Sequence, residues 1–201
     1  TPTSVCKTKE QTSLKEMPSE PVKRAIYINY QILMENVITG IVTGFKSNED
    51  KARELFGKLD QARVREDFLV AASVLKGLQG GNGKVGVVGF CFGGGMANFL
   101  ATRIPDLAAA VPFYGPAPAL EEVAKIKAPL LIHHAGKDER ILAGWPKYEE
   151  ALKASGANYQ GYVYPNVDHG FNNDTTPRFD QAAAKQAWER TIAHFNKYLR
   201  G

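Results

Sequence analysis

The chain alternates short apolar runs with longer segments in which apolar residues recur at helical spacing. Residues 84–90 are apolar without alternation, which is typical of a strand buried on both faces of a parallel sheet. We expect strands and helices to follow it in turn, with strands over 107–114, 128–134 and 159–164 and helices over 96–103, 145–154 and 178–199. This alternation predicts an α/β domain with a mostly parallel sheet flanked by helices.

The N-terminal quarter has a different pattern. Residues 1–21 are polar and lack periodicity, so we interpret them as a polar tail or cover. Residues 22–45 are rich in β-branched side chains, and their glycines break any long helix, which favours one or two strands. Residues 48–78 carry apolar positions at helical spacing and predict two helices. We therefore expect one domain over residues 22–201.

Composition narrows the class of protein. The 201 residues are enough for one domain, and 44% of them are hydrophobic. The net charge of +4 comes from a mixed surface without a Lys/Arg block, which argues against a nucleic-acid partner. No apolar run is long enough to span a membrane, and the N-terminus lacks a signal-peptide pattern, so we expect a cytoplasmic protein. Cys6 and Cys91 alone provide neither a disulfide framework nor a metal site.

One motif places a nucleophilic side chain between the first predicted strand of this alternation and its helix. The motif is Gly89-Phe90-Cys91-Phe92-Gly93, and its serine counterpart is the nucleophile elbow of α/β-hydrolases. Such a turn strains the backbone of the nucleophile, so small residues are needed two positions to either side. We expect the helix N-terminus to favour the Cys91 thiolate, and the Phe92 N–H to face an oxyanion.

An elbow of this kind predicts an acid and a histidine on loops after later strands. Asp138 and His169 occupy those places, in that order. We expect His169 to share the proton of the Cys91 thiol and Asp138 to hold the other ring nitrogen. Asp168 is the competing acid, although adjacent side chains diverge. We interpret the remaining histidines as structural or solvated: His133, His134 and His194.

Other interpretations of the glycine-rich turn stay open. It can be a structural turn around a buried cysteine, or the phosphate loop of a nucleotide-binding module. The sequence matches neither G-x-G-x-x-G nor the Walker A pattern, which argues against the second of these. A further alternative is a hydrolase-like protein that keeps the three residues but is catalytically impaired by an altered N-terminal third.

The segment GFCFGG around Cys91, the Gly136-x-Asp138 loop and His169-Gly170-Phe171 resemble the dienelactone hydrolase family. The resemblance extends over about residues 48–199. It implies an α/β-hydrolase fold and a triad of Cys91, His169 and Asp138, with the Phe92 N–H as an oxyanion donor. It also implies cleavage of small esters or lactones, of the dienelactone type, through an acyl-enzyme. No metal or organic cofactor is implied.

The same resemblance singles out the N-terminal region. Family members carry E-N-R-G on an early strand, and its Glu interacts with the resting thiol. Residues 34–37 match Glu-Asn only, which makes Glu35 the candidate thiol partner. Fewer residues than in the family separate this motif from the helix that Asn48 opens. We therefore expect a sheet that can lack one or two N-terminal strands.

Substrate-binding candidates follow from the resemblance as well. Some family members bind a substrate carboxylate with arginines, for which Arg140 and Arg178 are the candidates. Tyr114 and Trp145 are candidates to line the pocket. Alternatively, the two arginines can be surface residues, and Tyr114 and Trp145 can be core residues, with no role in substrate binding. We expect a small-molecule ester or lactone as the partner, and a monomer or small homo-oligomer.

Overall fold

The computed structural model describes residues 58–200. The predicted tail over 1–21, the strands expected over 22–45, the first helix and Glu35 all lie outside the described residues. The expectation that the sheet can lack one or two N-terminal strands concerns the same residues. None of the helices in residues 58–200 is both long and apolar enough to cross a bilayer.

The described residues form alternating strands and helices, as predicted. The strands are β1 Gly86–Phe90, β2 Ala109–Phe113, β3 Leu130–Ala135 and β4 Tyr159–Tyr164. The helices are α1 Gln61–Lys76, α2 Phe92–Arg103, α3 Glu139–Leu142, α4 Trp145–Ala154 and α5 Gln181–Leu199. A short 3-10 helix, Leu120–Lys125, joins β2 to β3.

The four strands pair in chain order, and every pairing is parallel. This confirms the predicted α/β fold with a parallel sheet. All residues of β2 and β3 are buried, as in strands covered on both faces, whereas β4 is partly exposed at the edge. Since the strands are parallel, the loops that follow them lie along the same edge of the sheet, where the site residues were expected.

Two helical layers cover the sheet. On one face, α5 packs against alternate residues of the central strands, including Val111, Phe113 and Leu131. On the other face, α2, α4 and the 3-10 helix pack against Ala110, Leu130 and Ile132. The change of face between neighbouring residues follows from the two-residue period of a strand. Helix α1 packs on α2 through Val64, Met96 and Leu100.

Helix boundaries differ from the prediction where local caps or close packing decide them. Helix α5 begins at Gln181 rather than near residue 178, because Asp180 accepts a hydrogen bond from the Ala183 N–H at 2.8 Å. Helix α2 begins at Phe92, although its glycines disfavour a helix. A Cβ at Gly94 would lie 2.4 Å from the Phe113 carbonyl oxygen, so glycine there permits close contact with β2.

Candidate active site

Cys91 lies on the sharp turn between β1 and α2. Its backbone has φ 54° and ψ −114°, which a non-glycine residue adopts only when its surroundings enforce it. The Cys91 N–H donates to the Phe113 carbonyl oxygen at 3.2 Å, and the Gly95 N–H donates to the Cys91 carbonyl oxygen at 3.2 Å. These bonds hold the thiol at the carboxyl end of the sheet.

The turn requires glycine at one of its two flanking positions. A Cβ at Gly89 would lie 1.9 Å from the Gly93 carbonyl oxygen, far inside van der Waals contact. A Cβ at Gly93 would meet no atom of residues 58–200 within 4 Å. The expectation of a small residue therefore holds at Gly89, whereas the described residues leave room for a Cβ at Gly93.

Asp138 follows β3 and is buried, with 8% of its surface exposed. Its N–H donates to the Ala135 carbonyl oxygen at 3.1 Å. Its Oδ1 accepts from the Ile141 N–H at 3.3 Å and so caps α3. These contacts fix the carboxylate and leave Oδ2 for a partner from another loop.

That partner loop follows β4 and carries His169. Two backbone hydrogen bonds join it to the acid loop, from the Gly136 N–H to the Tyr164 carbonyl oxygen at 2.8 Å and from the Lys137 N–H to the Val167 carbonyl oxygen at 3.0 Å. A Cβ at Gly136 would lie 2.6 Å from the first of these oxygens. Gly136 thus allows the loops to approach, a role that the Gly136-x-Asp138 pattern alone does not predict.

The structure brings Cys91, His169 and Asp138 together. His169 Nε2 lies 3.0 Å from Cys91 Sγ, and His169 Nδ1 lies 2.5 Å from Asp138 Oδ2. An ionised carboxylate can only accept, so this network assigns the hydrogen to Nδ1 and leaves Nε2 as an acceptor for the thiol proton. Asp168, the competing acid, is exposed and has no hydrogen bond to the imidazole.

Burial raises the pKa of the Cys91 thiol above its ordinary value. The guanidinium of Arg178 opposes this, the Asp138 carboxylate adds to it, and Arg140 opposes it more weakly. Burial therefore acts against the expected preference of the helix end for a thiolate. At neutral pH the resting form of Cys91 is therefore the thiol, and Nε2 of His169 is positioned to accept its proton.

Arg140 and Arg178 are both exposed and both lie close enough to act on the thiol electrostatically. Tyr114 is close to the site from the core side, with its ring centroid 5.0 Å from that of His169. The backbone N–H of Asn172 lies near the Tyr114 hydroxyl. Only 2% of this residue is exposed, so it supports the imidazole from beneath and offers almost no surface to a substrate.

Trp145 is not brought to these residues. Its indole packs on the sheet face over Gly161, where a Cβ would lie 2.6 Å from the Trp145 Cζ2 atom. Its ring centroid is 4.6 Å from that of His134. Of the remaining histidines, His133 and His134 are buried and His194 is half-buried, which favours a structural over a solvated role.

Comparison with known proteins identifies the family. The model described as "Dienelactone hydrolase family" matches residues 24–199. The chain belongs to the dienelactone hydrolase family. A protein of Saccharolobus solfataricus named "Putative carboxymethylenebutenolidase" is 41% identical over 108 residues, which cover 53% of this chain and 42% of that protein. A Methylorubrum extorquens protein of the same name is 28% identical over 171 residues, or 79% of this chain and 59% of that protein.

The chain thus spans about half the length of the curated relatives it matches. Among solved structures, a Klebsiella pneumoniae protein named "Putative Dienelactone Hydrolase" aligns with a TM-score of 0.68 and 28% identity, over 78% of this chain and 70% of that chain. The dienelactone hydrolase from Anabaena variabilis aligns with a TM-score of 0.58 over 90% of this chain and 81% of that chain, at 21% identity. The described sheet and helices therefore have the α/β-hydrolase fold expected of a dienelactone hydrolase family member.

Proposed function

We propose that this chain hydrolyses small esters or lactones through a thioester on Cys91. The contacts that link Cys91, His169 and Asp138 carry the proposal, since they join a thiol, an imidazole and a buried carboxylate in one line. The family match supports it, and the carboxymethylenebutenolidase name of relatives makes a lactone one of the substrates to test. The match over residues 24–199 also supports a single domain over residues 22–201.

The first half of the reaction forms the thioester. As Sγ of Cys91 attacks the carbonyl carbon, Nε2 of His169 takes the thiol proton, and the Asp138 carboxylate stabilises the imidazolium that results. The carbonyl oxygen becomes an oxyanion. Phe92 is the first residue of α2, and N–H groups there have no acceptor within the helix, so its N–H can donate to that oxyanion.

The second half returns the thiol. When the C–O bond breaks, His169 gives its proton to the departing oxygen, which becomes an alcohol or, from an enol lactone, an enol. In a lactone the released hydroxyl group stays attached to the acyl chain. A water molecule then attacks the thioester, and Nε2 takes one of its protons. Collapse of this intermediate breaks the C–S bond, releases the acid and allows His169 to return the proton to Sγ.

Substrate selection rests on the charges around the thiol. Arg140 and Arg178 are exposed cations near Cys91, so they favour a substrate with a carboxylate beside the scissile bond. Glu35, the proposed thiol partner, lies outside the described residues. Tyr114 supports the imidazole, and Trp145 packs on the sheet, so neither is proposed to contact the substrate.

Hydrolysis of a panel of fluorogenic short-chain esters and lactones by the full chain tests the proposal. We expect turnover by the wild type and none by Cys91→Ala, with mass spectrometry detecting an acyl adduct on Cys91 in the wild type alone. Circular dichroism checks that both proteins are folded. Equal rates in the two proteins would exclude the thiol mechanism, whereas no turnover of any substrate by the wild type would favour the catalytically impaired alternative.

A further inference from the structure

Tyr114 directly follows β2 and adopts a backbone conformation that a bulky residue rarely takes. Its φ is 35°, in the left-handed region, where a residue with a Cβ is strained unless its surroundings enforce the conformation. Among residues 58–200, two other non-glycine residues have positive φ, the candidate nucleophile Cys91 and Asn166. Asparagine adopts such a conformation readily, whereas tyrosine does not. A strained tyrosine at the carboxyl edge of the sheet therefore needs a physical reason.

Backbone contacts with two neighbouring elements enforce this conformation. The Tyr114 N–H donates to the His133 carbonyl oxygen at 2.7 Å, which extends the contact between β2 and β3. The next residue, Gly115, packs against α2, where a Cβ at Gly115 would lie 2.2 Å from the Gly94 carbonyl carbon. The chain is thus held immediately before and after the Tyr114 Cα, and the fold sets the direction of its side chain.

That direction brings the Tyr114 side chain to residues 165–180, the loop between β4 and α5, which we call the histidine loop. The ring centroid of Tyr114 lies 5.0 Å from that of the His169 imidazole and 5.4 Å from that of Phe171, with an edge-to-face arrangement in the second pair. The Tyr114 hydroxyl lies near the backbone N–H of Asn172. One side chain thus reaches positions 169, 171 and 172 of the same loop.

The position of the His169 imidazole depends on this support. The His169 side chain is 25% exposed, so solvent lies on one side of it, and the buried Tyr114 ring lies on the core side. Nε2 must stay near Cys91 Sγ, 3.0 Å away, while Nδ1 stays bonded to Asp138. A misplacement of about 1 Å can lower a rate about 10²-fold. Without the ring, a cavity would open beneath the imidazole, and the histidine loop would be free to move into it.

A second buried tyrosine offers a comparison. Tyr148 on α4 is 1% exposed, packs on the opposite face of the sheet and donates its hydroxyl hydrogen to Asn98 at 3.1 Å. Its backbone is helical, and its ring meets the indole of Trp145. Tyr148 is therefore an ordinary core residue. Tyr114 combines a similar burial with backbone strain and with contacts to the histidine loop.

We propose that Tyr114 is a positioning residue that holds the His169 imidazole within reach of the Cys91 thiol. The proposal rests on the function proposed above, which gives the imidazole its catalytic role. The ring carries the effect, since it is the part of Tyr114 that contacts the imidazole. Because Tyr114 is only 2% exposed, it acts on the catalytic step and not on substrate binding. The strained backbone turns the ring toward the histidine loop, which explains why a bulky residue occupies this conformation.

Steady-state hydrolysis of one ester by variants of the full chain tests the proposal. Tyr114→Leu removes the ring, so we expect kcat to fall about 10- to 100-fold while KM changes less than about twofold. Tyr114→Phe keeps the ring and should retain kcat within about threefold. Tyr148→Leu is the matched control, because it makes the same substitution at a similarly buried position, and it should keep kcat within about twofold.

Proton NMR provides a measurement that requires no turnover. The Nδ1–H proton of His169, bonded to Asp138, should give a downfield resonance in the wild type, in Tyr114→Phe and in Tyr148→Leu, and His169→Gln assigns it. In Tyr114→Leu we expect this resonance to broaden or vanish, because a displaced imidazole exposes the proton to exchange with water. If circular dichroism shows that Tyr114→Leu is unfolded, Tyr114→Met takes its place in both experiments, since methionine fills most of the space without a rigid ring.

The outcomes separate this proposal from the catalytic one. An unchanged kcat or an unchanged Nδ1–H resonance in the variant without the ring would overturn the positioning role. So would a rise in KM in place of the fall in kcat, or an equal loss of kcat in Tyr148→Leu or Tyr114→Phe. If the wild type hydrolyses no substrate, the catalytic proposal fails, whereas selective loss of the resonance without the Tyr114 ring would still show that this ring positions His169.

Discussion

Asp138→Asn tests whether the buried carboxylate determines the proton positions of the site. Asparagine has nearly the same size, and its oxygen can still accept the Ile141 N–H that caps α3. If its amide NH₂ faces the imidazole, His169 Nδ1 must accept, and the ring hydrogen moves to Nε2. Nε2 then points a hydrogen at Cys91 Sγ, 3.0 Å away, and cannot take the thiol proton.

The expected loss follows from this exchange of tautomers. In a triad with the same roles, the equivalent substitution lowers kcat about 10⁴-fold, and we expect a fall of about 10³- to 10⁴-fold in kcat/KM here. The cost in folding is smaller. A charge-assisted hydrogen bond between Asp138 and His169 is replaced by a neutral one, which lowers the free energy of unfolding by about 1–2 kcal/mol. A domain of ordinary stability tolerates that loss.

Asp168→Asn is the matched control, because it removes the same charge one residue from His169. Asp168 is exposed and has no hydrogen bond to the imidazole, so we expect less than about a twofold change in kcat/KM. Steady-state hydrolysis of one ester by the three proteins, with urea unfolding to verify stability, provides the comparison. If Asp138→Asn keeps more than about a tenth of the activity, or Asp168→Asn loses as much, the assignment of the acid is wrong.

Three further predictions concern packing and charge. Gly94→Ala forces a Cβ to within 2.4 Å of a backbone oxygen and should lower the free energy of unfolding by about 3 kcal/mol or more. Gly93→Ala makes no such contact with the described residues, so it should change this free energy by less than about 1 kcal/mol. Chemical denaturation measures both values. Iodoacetamide should alkylate Cys91 more slowly at neutral pH than it alkylates a thiol of ordinary pKa. Arg178→Gln should slow this alkylation further, because the Arg178 cation favours the thiolate. Equal or faster alkylation of the variant would contradict the assigned charge effect. Burial lowers the pKa of His134 to about 4, below its unfolded value of about 6.5. The free energy of unfolding should therefore fall as pH drops below 6.5, by about 2 kcal/mol at pH 5 from this residue. Urea titrations of His134→Leu at about pH 7 and about pH 5 should lack this share of the loss.

The candidate site was predictable because its residues are placed by local rules. The nucleophile is identified by a motif of adjacent residues, and the acid and histidine each follow a strand whose apolar pattern is visible in the sequence. In a parallel sheet the ends of those strands meet at one edge, so order along the chain becomes proximity in space. The observed contacts of His169 with Cys91 and Asp138 agree with that expectation.

The position of Trp145 and the open space at Gly93 could not be predicted in this way. Whether Trp145 reaches the loops or packs on the sheet depends on the small residue that it covers, Gly161, which belongs to a different element. Likewise, the described residues leave no room for a Cβ at Gly89 but meet none at Gly93, which lies inside α2 because that helix begins four residues before its predicted start. Each outcome depends on tertiary contacts that sequence spacing does not encode.

The protonation state of Cys91 likewise depends both on a local feature of the sequence and on groups that the fold brings from elsewhere. A helix N-terminus is a local feature, and it alone predicts a thiolate. The groups that decide the pKa of the thiol come from elsewhere: burial by the surrounding core, Arg178 from the segment before α5, and Asp138 from the loop after β3. Burial exceeds the effect of the nearby cations, so attack by Cys91 requires proton transfer to His169. The dependence of catalysis on Asp138 follows, since only a correctly oriented imidazole can accept that proton.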